Sequence, residues 1–168
     1  MELAVYKWPS EKLREKATAF NLEYESHDWL DELVAALFDT MYADGGIGLA
    51  ATQCGVTKKV FVMDTQDVHS NGIERAFVNP VIVDYDETFT NKEGCLSFPG
   101  VWAEVERLKT VEVNYYCIED KTMKTEKFSG IESICIQHEI DHLYGKVFVD
   151  HLSQAKRDRA LAKYRRTK

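Results

Sequence analysis

The sequence predicts an α+β fold in which antiparallel sheets pack around a central helix that carries an H-E-x-x-H pattern. Three observations lead there: an amphipathic helix early in the chain, a long β-rich middle, and a second helix near the end that holds the pattern. The 168 residues suffice for one domain with a substantial core. We expect that domain over residues 1–152, followed by a basic helical tail over 153–168.

The elements follow in chain order. Trp8-Pro9-Ser10-Glu11 reads as an extended arm turning into a short helical start. From about Asp28 to Tyr42, the residues Trp29, Leu30, Leu33, Val34, Leu37, Phe38 and Met41 recur at helical spacing and form one apolar stripe. Such a stripe is core packing. Asp28 is placed to cap the start, and Gly45-Gly46 to end it. Residues 59–128 read as β structure. Val60-Phe61-Val62-Met63, Phe77-Val78 and Val81-Ile82-Val83 are β-rich runs, the last following Asn79-Pro80. Val111, Val113 and Tyr115 alternate up to a turn at Glu119-Asp120-Lys121, and Met123–Phe128 completes a hairpin. The second helix spans about Gly130 to Tyr144. Ser129 and Glu132 make a capping-box pattern, and Gly145 sits where a C-terminal glycine belongs. Ser153 begins the tail helix.

Composition narrows the function classes. With 45% hydrophobic and 29% charged residues the chain is an ordinary globular one. No apolar run approaches the roughly 18–20 residues that span a bilayer, and the N-terminus lacks a basic segment followed by an apolar one. A cytoplasmic protein, or a mature organellar one, is expected, with no direct membrane partner. The four cysteines, Cys54, Cys95, Cys117 and Cys135, form no C-x-x-C pair, which points away from a disulfide framework and toward metal or catalytic chemistry. A net charge of −7 argues against a chain-wide nucleic-acid surface. Yet residues 153–168 hold seven basic side chains and one acid, a net of +6 that leaves −13 for the rest.

The pattern in the second helix reads Gln137-His138-Glu139-Ile140-Asp141-His142. Positions i and i+4 share a helix face, so His138 and His142 can hold one metal ion. Glu139 lies one residue round and can reach a water without being a ligand. This makes the central helix the metal-binding element of the expected fold. A catalytic site with three protein ligands needs one more donor. Cys95, in Glu93-Gly94-Cys95-Leu96-Ser97, and His151 both stand as candidates, and thiolate chemistry favours Cys95. A third segment, Gly46-Ile47-Gly48-Leu49-Ala50-Ala51-Thr52-Gln53, combines small residues that let backbone approach a ligand with an amide donor at Gln53.

Together these three segments resemble the signatures of the peptide deformylase family, G-x-G-L-A-A-x-Q, E-G-C-x-S and Q-H-E-x-D-H, each matched in full and in order. The similarity runs from about Pro9 to Leu152. After Cys95 the chain reads Ser97-Phe98-Pro99-Gly100-Val101-Trp102-Ala103-Glu104-Val105, which looks like the branch typified by plant organellar members. Many bacterial members carry arginine where Trp102 stands.

The resemblance implies a hydrolase that removes the formyl group from the N-terminal methionine of nascent polypeptides. It implies one divalent ion on Cys95, His138 and His142, ferrous iron in the cell, with zinc, nickel or cobalt as alternatives. Glu139 is implied as general base and acid. Gln53 and the backbone N–H of Leu96 are implied to meet the oxyanion. Glu93 and Asp141 resemble supporting residues, with Asp141 suited to orient a ligating imidazole. Ile47, Leu96, Ile131, Ile134 and Cys135 match positions lining a methionine pocket. Backbone near Ile47 and Gly48 is expected to pair with an extended substrate, and Trp102 to line the rim. Some bacterial members dock on the ribosome through a C-terminal helix, so residues 153–168 read either as a solvated terminal helix or as a ribosome-docking arm. Because the tail's apolar side is weak, few contacts with the body are expected. Two rivals remain in view: an H-E-x-x-H endopeptidase using His151, which leaves Gln53 and the E-G-C segment unexplained, and a non-catalytic metal protein, which would not need Glu139 or Gln53.

Overall fold

The structure, a computed structural model, describes residues 1–66 and 73–166. Thr167 and Lys168 of the expected tail lie outside the described residues. Helix α1 covers His27–Ala43 and buries Leu30, Leu33, Leu37 and Met41 as the stripe requires. Its cap differs from the expected one. Ser26, not Asp28, takes the N-cap, its hydroxyl accepting from Trp29 N at 3.2 Å, because Asp28 already lies inside the first turn.

Five strands, β1 (Gly48–Ala50), β2 (Val60–Met63), β3 (Arg75–Tyr85), β6 (Thr110–Cys117) and β7 (Thr122–Ser129), form one antiparallel sheet in the order β1-β2-β3-β6-β7. β3 joins the two runs on either side of Asn79-Pro80. Asn79 takes a φ of +52°, and its side chain accepts from Phe20 N and donates to Phe20 O, both at 2.8 Å, so a local kink is stabilised without ending the strand. Strands β4 (Thr88–Cys95) and β5 (Phe98–Leu108) form a separate hairpin, with Cys95 opposite Phe98 across the Leu96-Ser97 turn.

Helix α2, Gly130–Leu143, contacts β1, β2, β6 and β7 of the sheet and β5 of the hairpin. That explains why it is buried on several sides, polar residues included. Gln137 accepts from Leu108 N at 2.8 Å and donates to Ser133, satisfying its amide inside the core. The expected capping box does not form. Ser129 makes no capping bond and instead pairs with Thr110 across the sheet at 3.0 Å, while Glu132 faces Arg75. Gly145 follows the helix at φ +73°, where a Cβ would fall 2.5 Å from Arg14 O.

The α+β class and the antiparallel sheets stand, but the expectation that the H-E-x-x-H helix is by itself the metal-binding centre is corrected. The candidate donor set is Cys95, His138 and His142, divided between the end of β4 and α2. The physical reason is geometric: one helix face offers two imidazoles a turn apart, and the third donor comes from a hairpin folded over that face. A second expectation also changes. Helix α3, Gln154–Arg166, packs on β5, with Tyr164 2% exposed, its ring 5.8 Å from Phe98 and its hydroxyl donating to Trp8 O at 2.9 Å. One aromatic at a buried position is enough to seat a helix whose apolar side looks weak in sequence.

Candidate active site

His138 and His142 project from one face of α2, their Nε2 atoms 3.3 Å apart. Cys95 Sγ lies 3.4 Å from His142 Nε2, and the three donor atoms all fall within 4.8 Å of one another. One sulfur and two imidazole nitrogens make a donor set that suits zinc, iron, cobalt or nickel. His151, the alternative third ligand, is elsewhere: its Nε2 contacts Asp141 Oδ2 at 2.7 Å.

Beside the triad, Glu139 is 3% exposed, and among the described residues its Oε1 has no hydrogen-bond partner. Burial pushes its carboxyl up to about 7. A buried carboxyl oxygen with nothing to bond, aimed into a cavity beside three clustered ligands, fits a centre that holds an ion and its water. Burial, and next the neighbouring His138, hold His142 well below the ordinary imidazole range, which keeps its nitrogen free of a proton for coordination.

Support comes from a buried charge chain. Glu93 Oε1 meets His138 Nδ1 at 2.9 Å, fixing the tautomer that turns Nε2 toward the other donors. Arg107, 4% exposed, grips Glu93 with two bonds of 2.6 and 2.9 Å and reaches Asp141 at 2.8 Å. Burial alone raises a carboxyl, but Arg107 and then His138 outweigh it and hold Glu93 below the usual range. Of the two acids, Glu93 faces the imidazole of a candidate ligand, whereas Asp141 bonds Arg107 and His151. Arg107 was not singled out in the sequence. Its signal was there: Val101, Ala103, Val105 and Arg107 occupy alternate positions, and a charged residue in an inward series needs a buried partner.

Gln53 occupies the turn after β1. Its Oε1 accepts from Ala50 N at 3.0 Å, which turns Nε2 toward Ser97 Oγ at 3.1 Å and Cys95 Sγ at 3.7 Å. Leu96 sits in the hairpin turn directly after Cys95. Close packing explains the glycine-rich segment: a Cβ on Gly48 would fall 2.6 Å from both Glu139 Oε2 and Cys135 Sγ.

These groups open into a cavity of about 530 Å³. Ile131, Ile134 and Cys135 of α2 form its apolar side, and Ile47, Gly48 and Leu96 also line it. Trp102, 61% exposed, stands at the rim with its ring over Gly94. β1 is an edge strand of its sheet, so backbone beside Ile47 and Gly48 faces the cavity. Among the described residues, no helix is long and apolar enough to cross a membrane.

The family model described as polypeptide deformylase matches residues 2–158. A peptide deformylase from Neisseria gonorrhoeae is 42% identical over 168 residues, 98% of this chain and 95% of its own length. Peptide deformylase 1 of Shewanella oneidensis is 43% identical over 162 residues, 94% and 90% of the two chains. Among solved structures, a peptide deformylase from Ehrlichia chaffeensis superposes with a TM-score of 0.87 at 34% identity, covering 99% of this chain and 97% of that one. A plant peptide deformylase gives 0.87 at 32% identity over 98% and 88%.

Proposed function

The chain belongs to the polypeptide deformylase family, and from that premise we propose how its own residues perform the reaction. It is a metal-dependent hydrolase that removes the N-formyl group from the N-terminal formylmethionine of polypeptides and releases formate. The observation that carries the assignment of roles is the Cys95, His138 and His142 cluster beside a buried, unpartnered Glu139 oxygen.

Cys95, His138 and His142 would hold one divalent ion, which when bound would supply Lewis acidity toward water and the formyl carbonyl. Glu139 takes a proton from the attacking water and returns it to the leaving amine nitrogen; a carboxyl held near neutrality suits both transfers. Gln53 Nε2 and the Leu96 N–H stabilise the oxyanion, a role supported by their places beside Cys95. Glu93, anchored by Arg107, keeps His138 in the ligating tautomer. The methionine side chain enters between Ile131, Ile134 and Cys135, while the peptide backbone extends along Ile47 and Gly48 and passes Trp102.

Ferrous iron is the resident ion in this reading, with zinc, nickel and cobalt as competent substitutes. The chain forms one catalytic domain over 1–152 with an appended helix, acts on nascent chains in a cytoplasm or organelle, and shares the Ser97–Val105 segment with plant organellar members. The outward basic residues Arg159, Lys163 and Arg165 of α3 dock on the ribosome. Because Tyr164 anchors α3 to the body, charge reversal of those three residues tests docking better than deletion does. Co-sedimentation with ribosomes that survives the reversal at low salt rejects it.

The central experiment uses anaerobically purified protein. Formate release from formyl-Met-Ala, without casein cleavage, is expected to track metal content. Cobalt-loaded protein should show a thiolate charge-transfer band that disappears in Cys95→Ser and persists in His151→Ala. A band that survives Cys95→Ser refutes the ligand assignment.

A further inference from the structure

Beyond the roles already assigned, we infer that Ser97 is a positioning residue for the reaction: its buried hydroxyl, aimed by a carbonyl of the N-terminal arm, holds the Gln53 amide with one N–H turned toward the oxyanion. The inference rests on the reading of Gln53 as an oxyanion donor.

An amide side chain can lie either way round, and only its donor end can meet an oxyanion. The neighbours of Gln53 decide which end points where. Ala50 N can only donate, so the Gln53 atom 3.0 Å away is Oε1, and Nε2 faces Ser97 Oγ at 3.1 Å. A hydroxyl has one proton to give. Tyr6 O, 2.7 Å from Ser97 Oγ, can only accept, so it takes that proton and leaves Oγ as an acceptor toward Gln53. One N–H of Gln53 is thereby used. The other lies on the side of Cys95, whose Sγ is 3.7 Å from Nε2. Held at both its oxygen and its nitrogen, the amide keeps one orientation.

The surroundings make the hydroxyl hard to replace. Ser97 is 0% exposed and Gln53 1%, so bulk water does not reach the bond between them. The backbone on either side is fastened by the same arm: Tyr6 N donates to Gln53 O at 2.8 Å and Trp8 N to Ser97 O at 2.9 Å. The arm therefore sets the direction of a chain of bonds that runs from Gln53 through Ser97 to Tyr6. Without the Ser97 oxygen a buried N–H loses its partner, and the amide must turn to find another. A donor that has turned no longer points to where charge develops on the formyl oxygen.

A double-mutant cycle on metal-replete protein tests this, read as amine release from formyl-Met-Ala. Ser97→Ala should lower kcat roughly tenfold, a share of the about 10²–10³ that one oxyanion donor supplies. KM should stay within about twofold, because the charge forms only after attack. In a Gln53→Ala background the same change should alter kcat by less than about twofold. A full loss repeated in that background overturns the inference, since the damage would not pass through Gln53. Unchanged kcat in Ser97→Ala overturns it as well. Ser97→Thr and Ser97→Val are similar in size and differ in the hydroxyl, so they separate the bond from packing. The threonine variant should turn over about tenfold faster than the valine variant, and equal rates overturn the inference whatever the stability of Ser97→Ala. Unchanged turnover in Gln53→Ala would instead sink the oxyanion reading on which Ser97 depends.

Discussion

Replacing Arg107 by methionine removes the one cation inside the charge chain while keeping a side chain of similar length. Glu93 and Asp141 then lose bonds of 2.6, 2.9 and 2.8 Å, and Glu93 is only 5% exposed. Removing one partner of a buried ion pair costs about 3–5 kcal/mol. For a chain of this size that lowers Tm by roughly 6–20 °C. The pH dependence has a definite sign. In the unmodified protein Glu93 and Asp141 are both held below their ordinary values, so they contribute stability above the unfolded carboxylate range, about pH 4, and lose it as pH falls through their folded values. Without Arg107, burial dominates and pushes the carboxyls upward. The difference in Tm between variant and unmodified protein should therefore be widest near neutrality and narrow toward pH 5. Differential scanning calorimetry across that range is the assay. A gap under about 1 kcal/mol, the value of an exposed pair, or one that does not change with pH, would refute the reasoning.

Glu139→Ala should retain metal by elemental analysis yet lose about 10²–10⁴ in turnover; near-normal amine release by the metal-replete variant removes Glu139 from proton transfer. Gln53→Ala should lower turnover by roughly 10²–10³ with metal retained, as expected for one oxyanion donor, read in single-turnover kinetics. Gly48→Ala should impair turnover and stability together, because its Cβ would fall 2.6 Å from Glu139 Oε2 and Cys135 Sγ; a variant with unchanged Tm and turnover would show that the glycine is not needed for close approach.

Much of the site was legible because its chemistry lies in short contiguous segments. His138 and His142 share a helix face by spacing alone, and Cys95 stands beside a glycine in a segment that proved to be a hairpin end. What could not be read were the contacts between segments. Nothing local distinguishes Glu93 from Asp141 as the carboxylate facing His138; the register of β4 against β5, which brings Arg107 to Glu93, decides it. The capping box at Ser129 failed for a related reason, since Thr110 on the neighbouring strand offered a competing partner. β4 and β5 themselves were not delimited, though Val101, Ala103 and Val105 alternate, because the bulged register near Cys95 and Gly100 at φ +79° interrupt the period.

The bond from Tyr164 to Trp8 spans 156 residues. It sets an order of assembly. The arm that buttresses Gln53 and Ser97 is synthesised before the aromatic that bonds to it. A copy of this enzyme still being translated must hold its reaction centre without that clasp. Contacts of such long sequence separation slow folding. The arm beneath the active site thus gains this bond only after α3 has been made.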